Sequence, residues 1–355
     1  SSIDNLKEYK MNKNIKYFSL VLILLLATAD FIYAGGGRRN GTAGAAELLI
    51  PVGARGIALG GSNISTTTGI EALYWNPAGV SRTERSAEAM FSYMTYIADI
   101  GVTYGAVSAN IRDVGTFALS IKSLSFGDID VTTTNAPDGT GQKFSPQYLT
   151  AGVTYSRALS DRISVGVTGN MVMENIAQVS ATGFAFNAGV MYENLGDVNG
   201  LSIGVTLKNI GPQMQFDGPG LYNQASVSTL KRPAEFYKIE SASFELPALL
   251  EFGLAYRPVI NEQNSLLVST AFQNSEFSGD VYKVGAEYMF NNLIALRGGY
   301  SYTPTEQEAG YNYGLTAGVG LNYNMGGTDL KVDYAYRQVK NYFDANHVIT
   351  VGLGF

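Results

Sequence analysis

The sequence predicts an all-β protein: a transmembrane antiparallel β-barrel of about fourteen strands. Three observations predict it. Charged residues make up only 15% of the 355 residues, against roughly 25% in ordinary soluble domains, so little charge is available to coat a water-exposed surface. Beyond the N-terminus no apolar run approaches the ~18 residues that a spanning helix requires, although hydrophobic residues reach 46%. From residue 86 onward, apolar and polar side chains alternate with a period of two in segments of about ten residues, the pattern of strands that bury every second side chain in lipid.

Residues 1–10 precede Met11, the expected start, and are read as a non-native upstream extension. Residues 11–34 have the layout of a cleavable signal peptide: Lys13 and Lys16 in a basic n-region, an apolar stretch from Tyr17 to Ala29, and Ala34 before the cut. Asp30 interrupts the apolar run before it can cross a bilayer. The chain has no Cys, hence no lipid-anchor motif and no disulfide scaffold. Export to the outer membrane of a Gram-negative-type bacterium is the localisation these features predict.

Residues 35–85 form an N-terminal linker and a compact segment outside the barrel strands. Gly35 to Gly44 is glycine-rich and read as flexible. The stretch from Ala45 to Arg85 carries a short helix near Ile70 to Trp75 that Pro77 ends.

The barrel occupies 86–355, with strands expected at 86–96, 99–111, 115–127, 146–160, 162–176, 180–193, 200–209, 247–258, 264–275, 279–290, 293–302, 311–323, 328–338 and 344–355. The alternation is clearest where Tyr311, Tyr313, Leu315, Ala317, Val319, Leu321 and Tyr323 share one face while Asn312, Gly314, Thr316, Gly318, Gly320 and Asn322 share the other. Fourteen is even, as bacterial barrels require, and short turns should lie on the periplasmic side with longer loops outside. With the first strand running outward, the short connections at 112–114, 161, 291–292 and 324–327 are periplasmic. The two longest, 128–145 and 210–246, are then extracellular.

Ten charged residues fall on the face opposite the lipid-facing side chains and are assigned to the lumen: Lys122, Lys208, Glu251, Arg257, Lys283, Glu287, Arg297, Lys331, Asp333 and Arg337. Each would cost up to ~2–4 kcal/mol facing lipid at the midplane. The last strand puts Ile349, Val351, Leu353 and Phe355 on one face. Its terminal aromatic resembles the signal by which the outer-membrane barrel assembly machinery accepts substrates.

The chemistry-bearing patterns are absent. The only histidine, His347, has no Cys, second His or carboxylate pair at metal spacing, and strand parity points it outward. Gly53, Gly56, Gly60 and Gly61 match no dinucleotide fingerprint and no phosphate-binding loop. A net charge of -6 argues against a nucleic-acid partner, which calls for clustered Lys and Arg. The expectation is therefore a non-enzyme without cofactor or metal.

Two runs in the compact segment, Val52-Gly53-Ala54-Arg55-Gly56-Ile57-Ala58-Leu59-Gly60-Gly61-Ser62 and Glu71-Ala72-Leu73-Tyr74-Trp75-Asn76-Pro77-Ala78-Gly79, closely resemble the opening of the PorV/PorQ family of outer-membrane proteins. The Asn-Pro-Ala step is also similar to the hatch of the wider FadL-like group of long-chain fatty-acid transporters. Phe126-Gly127-Asp128-Ile129 and Leu207-Lys208-Asn209-Ile210-Gly211-Pro212-Gln213-Met214 look like further hallmarks, so the resemblance spans the mature chain. It implies a fourteen-stranded barrel with an N-terminal hatch tucked into the lumen. The hatch motif comprises Gly53, Arg55, Gly60, Gly61, Trp75, Asn76, Pro77, Ala78 and Gly79. Its small residues would let the backbone approach the wall, Trp75 would anchor the packing, and the Asn76 amide could bond lumen side chains. The resemblance also implies a role beside a type IX secretion translocon and its cargo sorting domains. The alternative is FadL-like transport of a hydrophobic ligand. Outer-membrane lipid and the assembly machinery are partners on either reading.

Overall fold

The computed structural model describes residues 42–225, 235–258, 260–275, 277–304, 312–340 and 343–355. The upstream extension, the signal peptide and linker residues 35–41 lie outside the described residues, as does Tyr311. Fourteen strands form one closed antiparallel barrel: β1 (Ala87–Thr95), β2 (Gly101–Ile111), β3 (Gly115–Ser125), β4 (Gln147–Ala158), β5 (Ile163–Ile176), β6 (Val179–Glu193), β7 (Leu201–Ile210), β8 (Leu249–Tyr256), β9 (Ser265–Ser275), β10 (Val281–Phe290), β11 (Ile294–Tyr302), β12 (Tyr313–Asn324), β13 (Asp329–Val339) and β14 (Asn346–Gly354). Each pairs with its sequence neighbours, and β14 closes the sheet onto β1 with Thr95 opposite His347 and Glu88 opposite Gly354. Closure removes every sheet edge, so all ladder groups in the lipid region are satisfied.

Antiparallel order divides the connections between two ends. The short-turn end carries the links after β2, β4, β6, β8, β10 and β12, together with the start of β1 and the C-terminus. The loop end carries the two long connections, each bearing a small ribbon, Ile129–Asp130 with Lys143–Phe144 and Tyr222–Ala225 with Glu235–Lys238. Phe355 ends the chain at the short-turn end, where its N–H donates to the Ala87 carbonyl at 2.9 Å and its side chain is exposed. Among the described residues no helix is long and apolar enough to cross a membrane.

The two faces follow the alternation. Leu315, Val319, Leu321 and Tyr323 stand outward and exposed, while Thr316, Gly318 and Gly320 are buried inside. Val107, Leu119, Val153, Val167 and Leu296 are more than half exposed. Such a continuous apolar exterior would be anomalous on a soluble protein, but on a barrel it is the lipid-facing band. His347 is on this outer face near the loop end, with its Nδ1 2.7 Å from the Tyr334 hydroxyl.

Two bulges alter the simple parity. On β12 an extra residue between Tyr313 and Thr316 shifts the register against β13. Tyr313 therefore turns inward instead of toward lipid: its hydroxyl is 2.7 Å from that of Tyr96, and the Arg337 guanidinium lies 3.9 Å over its ring. On β7 Ile210 pairs with Phe186 but Leu207 with Ala188, leaving Asn209 as the additional residue at φ 60. Asn tolerates that left-handed conformation better than most residues. Its N–H donates to Asn187 Oδ1 at 2.8 Å and its amide to the Pro247 carbonyl at 3.1 Å. The Leu207–Met214 motif is thus a backbone device that carries β7 into its long loop.

The N-terminal segment folds inside the barrel from short pieces: a 3-10 turn (Ala46–Leu49), α1 (Ala54–Ala58), a second 3-10 turn (Gly69–Glu71) running into α2 (Ala72–Trp75), and a third (Pro77–Ser81). The expected helix near Ile70–Trp75 is the 3-10 turn plus α2. Pro77 opens the next turn at its first position, where its missing N–H costs nothing, and the Asn76 side chain caps that turn by accepting from the Ala78 N–H at 3.1 Å. Thr42 to Gly44 departs from the flexible linker expected, since Ala43 bridges Glu245 and the Gly44 N–H donates to the Glu245 carbonyl at 3.0 Å.

Candidate functional site: a hatch ring sealed to the lumen wall

The hatch follows the inner wall strand by strand. Its Ala54 N–H donates to Thr350 Oγ1 on β14 at 2.9 Å, and the Ala58 carbonyl accepts from Thr316 on β12 at 2.9 Å. Gly60, at φ 65, and Gly61, at φ 76, turn the chain out of α1. The Gly60 carbonyl accepts from Ser301 on β11 at 3.0 Å, Ser62 Oγ lies 2.8 Å from Ser269 Oγ on β9, and Ile64 packs on β7 and β8. The chain then crosses the lumen, where the Ile70 N–H donates to Glu88 on β1 at 3.0 Å. It returns along β6, β5 and β4, ending where the Ser81 N–H donates to Ser156 Oγ at 3.1 Å.

So close an approach requires a wall without side chains. Gly166, Gly189, Gly204, Gly253, Gly285, Gly299 and Gly318 face the hatch where it touches β5, β6, β7, β8, β10, β11 and β12. They form directly opposed pairs, Gly166 with Gly189, Gly204 with Gly253, and Gly285 with Gly299. A Cβ at Gly285 would stand 2.5 Å from the Leu59 carbonyl oxygen, and one at Gly189 would run into Asn76 Oδ1. Glycine is the only residue that leaves room for a second backbone there. Sequence reasoning placed Gly318 on the lumen face but missed this belt; the available signal was glycine recurring at lumen parity near mid-strand.

Trp75 is the hub. It is 4% exposed, donates from Nε1 to the Val52 carbonyl at 3.1 Å, and packs edge-on against Tyr74 with centroids 5.1 Å apart. Gly56 and Gly61 leave room for its ring, and Gly53 sits at φ 85 beside it. The Asn76 amide bonds backbone, not the side chains expected: Nδ2 donates to the Ile64 carbonyl at 2.8 Å and to the Val190 carbonyl on β6 at 3.2 Å. Asn76 therefore joins the two arcs of the ring to each other and to the wall. Ala78 and Gly79 are buried in the same turn, with Gly79 against the Thr67 backbone. Substituting Asn76→Ala removes three hydrogen bonds, each net ~0.5–1.5 kcal/mol. The hatch amides should then exchange with solvent faster by one to two orders of magnitude in mass-spectrometric hydrogen exchange, with barrel amides unchanged.

Charges tie the ring to the wall in two clusters. Arg55 forks onto Glu287, Nε to Oε2 at 2.8 Å and Nη2 to Oε1 at 2.9 Å, and lies 3.5 Å from Glu71. Glu287 also accepts from Arg297 at 2.6 Å, and Arg297 pairs in turn with Asp333. Lys331, whose side chain is 42% exposed, lies 3.7 Å from Glu71. In the second cluster Glu251 receives Lys208 at 2.7 Å and Lys283 at 2.8 Å. Lys122 is held by the Glu47 carbonyl at 2.7 Å and the Ile50 carbonyl at 3.2 Å, and Lys122 and Lys208 both sit over the Tyr74 ring. Arg337 donates twice to Asn346 Oδ1, at 2.9 and 2.7 Å. Arg257 lies one residue beyond β8 and is exposed at the short-turn mouth of the lumen, near enough to Arg55 and Glu287 for their charges to act on it. Burial and then the neighbouring Glu174 push the Glu47 carboxyl up to about 8.

Cavities remain around the hatch, one of them about 590 Å³ at the short-turn mouth beside Glu84, Arg85, Arg112 and Arg157. A cavity of about 40 Å³ lies beside Tyr74, Lys122 and Lys208, and one of about 250 Å³ opens near Glu71, Glu88, Lys331 and Asp333. The larger of these two is lined mainly by polar and charged groups, while the smaller is also bounded by Leu48, Leu73 and the Tyr74 and Tyr104 rings.

The family model for the type IX secretion system protein PorV matches residues 35–252. No curated protein matches the chain. Among solved structures, the toluene transporter TodX of Pseudomonas putida is 14% identical, with a TM-score of 0.54 over 84% of this chain and 96% of that one. The toluene transporter TbuX of Ralstonia pickettii is 15% identical, with a TM-score of 0.53 over 85% and 98%. At these identities the likeness is one of fold alone.

Proposed function

Because the chain belongs to the PorV family of type IX secretion system proteins, we propose that it serves in the outer membrane as the partner barrel of a type IX translocon and handles exported cargo at its loop end. In this reading it is not an enzyme, and nothing passes through its lumen. The observation that carries it is the sealed ring, which contacts every strand of the barrel through hydrogen bonds, charges, apolar packing and backbone packed on glycine. The long loops face outward and the short turns the periplasm, the usual disposition in such barrels. Phe355, at the short-turn end, is the residue offered to the assembly machinery.

The alternative reading is a transporter of hydrophobic small molecules, supported by the shared barrel fold. It requires displacement of the hatch, and the charged lining of the cavity near Glu71 and Glu88 disfavours an apolar ligand there.

Purification from native membranes in mild detergent separates the two readings. Translocon components should co-purify, and should be lost when residues 222–238, which carry the exposed ribbon Tyr222–Ala225 with Glu235–Lys238, are removed, but kept in Asn76→Ala. Co-purification of neither translocon nor cargo, with a tightly held apolar small molecule instead, would overturn the proposal.

A further inference from the structure

The hatch enters the barrel at one end and leaves it at the other. On its C-terminal side Arg82 donates to the Asp161 carbonyl at 2.6 Å and the Ser160 carbonyl at 3.2 Å. Arg85 pairs with Asp329 and donates to the Gly327 carbonyl at 3.2 Å. All four acceptors belong to the short-turn end, and the chain runs from there directly into β1.

The first described residues stand at the opposite end. Ala43 bridges Glu245 in parallel, and the Gly44 backbone lies so near the Phe244 ring that a Cβ would overlap it. Phe244 and Glu245 sit in the long loop between β7 and β8. Ala45 and Leu48 pack with Met214 and Leu246 of the same loop against Val172 and Ala181, near the loop ends of β5 and β6. Thr42 is exposed.

We propose that the hatch is threaded through the whole lumen, with its amino end at Thr42 emerging on the loop face and its carboxyl end leaving at the short-turn end. The way back is closed, because residues 54–64 are packed on the wall below.

Two consequences follow from the threading. A protein or enzyme acting on the chain at Thr42 must approach from the loop face, the side assigned above to cargo handling. The hatch cannot swing out of the short-turn end unless its amino end is drawn through the ring, so any opening is a local rearrangement.

The chain has no Cys, which allows a direct test with single introduced thiols in the full-length protein. Thr42→Cys is compared with Asp138→Cys at the loop end and Glu262→Cys at the short-turn end, all three exposed, using a membrane-impermeant maleimide on intact cells. Thr42→Cys should label to within about twofold of Asp138→Cys, while Glu262→Cys should label only after the outer membrane is permeabilised. A Thr42→Cys that follows Glu262→Cys, or that reacts only after denaturation, overturns the proposal. Should Thr42→Cys and Asp138→Cys both require permeabilisation while Glu262→Cys does not, threading stands and the membrane orientation proposed above is the part that fails.

Discussion

Replacing Gly189 or Gly299 with valine is expected to unseat the hatch and open the barrel to ions. At Gly299 a Cβ would meet the Leu59 and Gly60 backbone, and at Gly189 the Asn76 side chain. Neither the wall strand nor a hatch backbone already against it can yield cheaply, and overpacking of this kind typically costs ~1–3 kcal/mol, occasionally more. The strain is relieved by moving the hatch, because the strands are held by closed ladders and the hatch by local contacts. Planar-bilayer recordings should show stable conductance for either variant and a closed baseline for the native protein. Gly105→Val is the control, since a Cβ there meets nothing within 4 Å, and it should remain closed. Closed Gly189→Val and Gly299→Val barrels with the hatch still protected from protease would contradict the packing described here.

The second large effect is expected from Glu287→Ala. Glu287 is the carboxylate shared by Arg55 of the hatch and Arg297 of the wall. Removing one partner of a buried pair costs ~3–5 kcal/mol, because a charge is left unmatched. Arg297 keeps Asp333. Arg55 keeps only the 3.5 Å contact with Glu71, so the penalty falls on hatch docking. At ~1.4 kcal/mol per factor of ten, exchange of the α1 amides should accelerate by two to three orders of magnitude while the strands stay protected. The double variant Arg55→Leu, Glu287→Leu removes both charges and should recover much of the protection, as replacement of a buried pair by apolar groups often does. Equal exchange in Glu287→Ala and the native protein would mean that the pair does not hold the hatch.

Much of this architecture was legible because a barrel strand has a period of two that any apolar segment displays directly. All fourteen strands fall where the alternation placed them, with ends differing by a few residues. What alternation cannot show is an inserted residue: the bulge at Tyr313 reverses one face locally, and the one at Asn209 bends β7 into its loop. The hatch motif was visible as residue types, and its place in the lumen came from the family resemblance. Its path was not visible, because contacts such as Gly299 with Leu59 or Ser62 with Ser269 join residues more than two hundred positions apart. A glycine at lumen parity looks the same in sequence whether it borders water or another backbone. The Glu287 cluster was likewise read as separate lumen charges, since nothing local to β10 signals that Arg55 would arrive there.

The most direct measurement of the central claim uses a disulfide between hatch and wall. Ser62 and Ser269 place their Oγ atoms 2.8 Å apart, and the chain has no other thiol to compete. In Ser62→Cys, Ser269→Cys the bond should form with little movement, its sulfur atoms needing to approach to ~2.05 Å. Surface display of type IX cargo is then measured in cells carrying only the oxidised variant. A barrel that acts through its loop end with its lumen sealed predicts cargo display equal to that of the native protein, with or without reductant. Display lost on oxidation and restored by reduction would contradict it, and would mean that the hatch has to move for the protein to work.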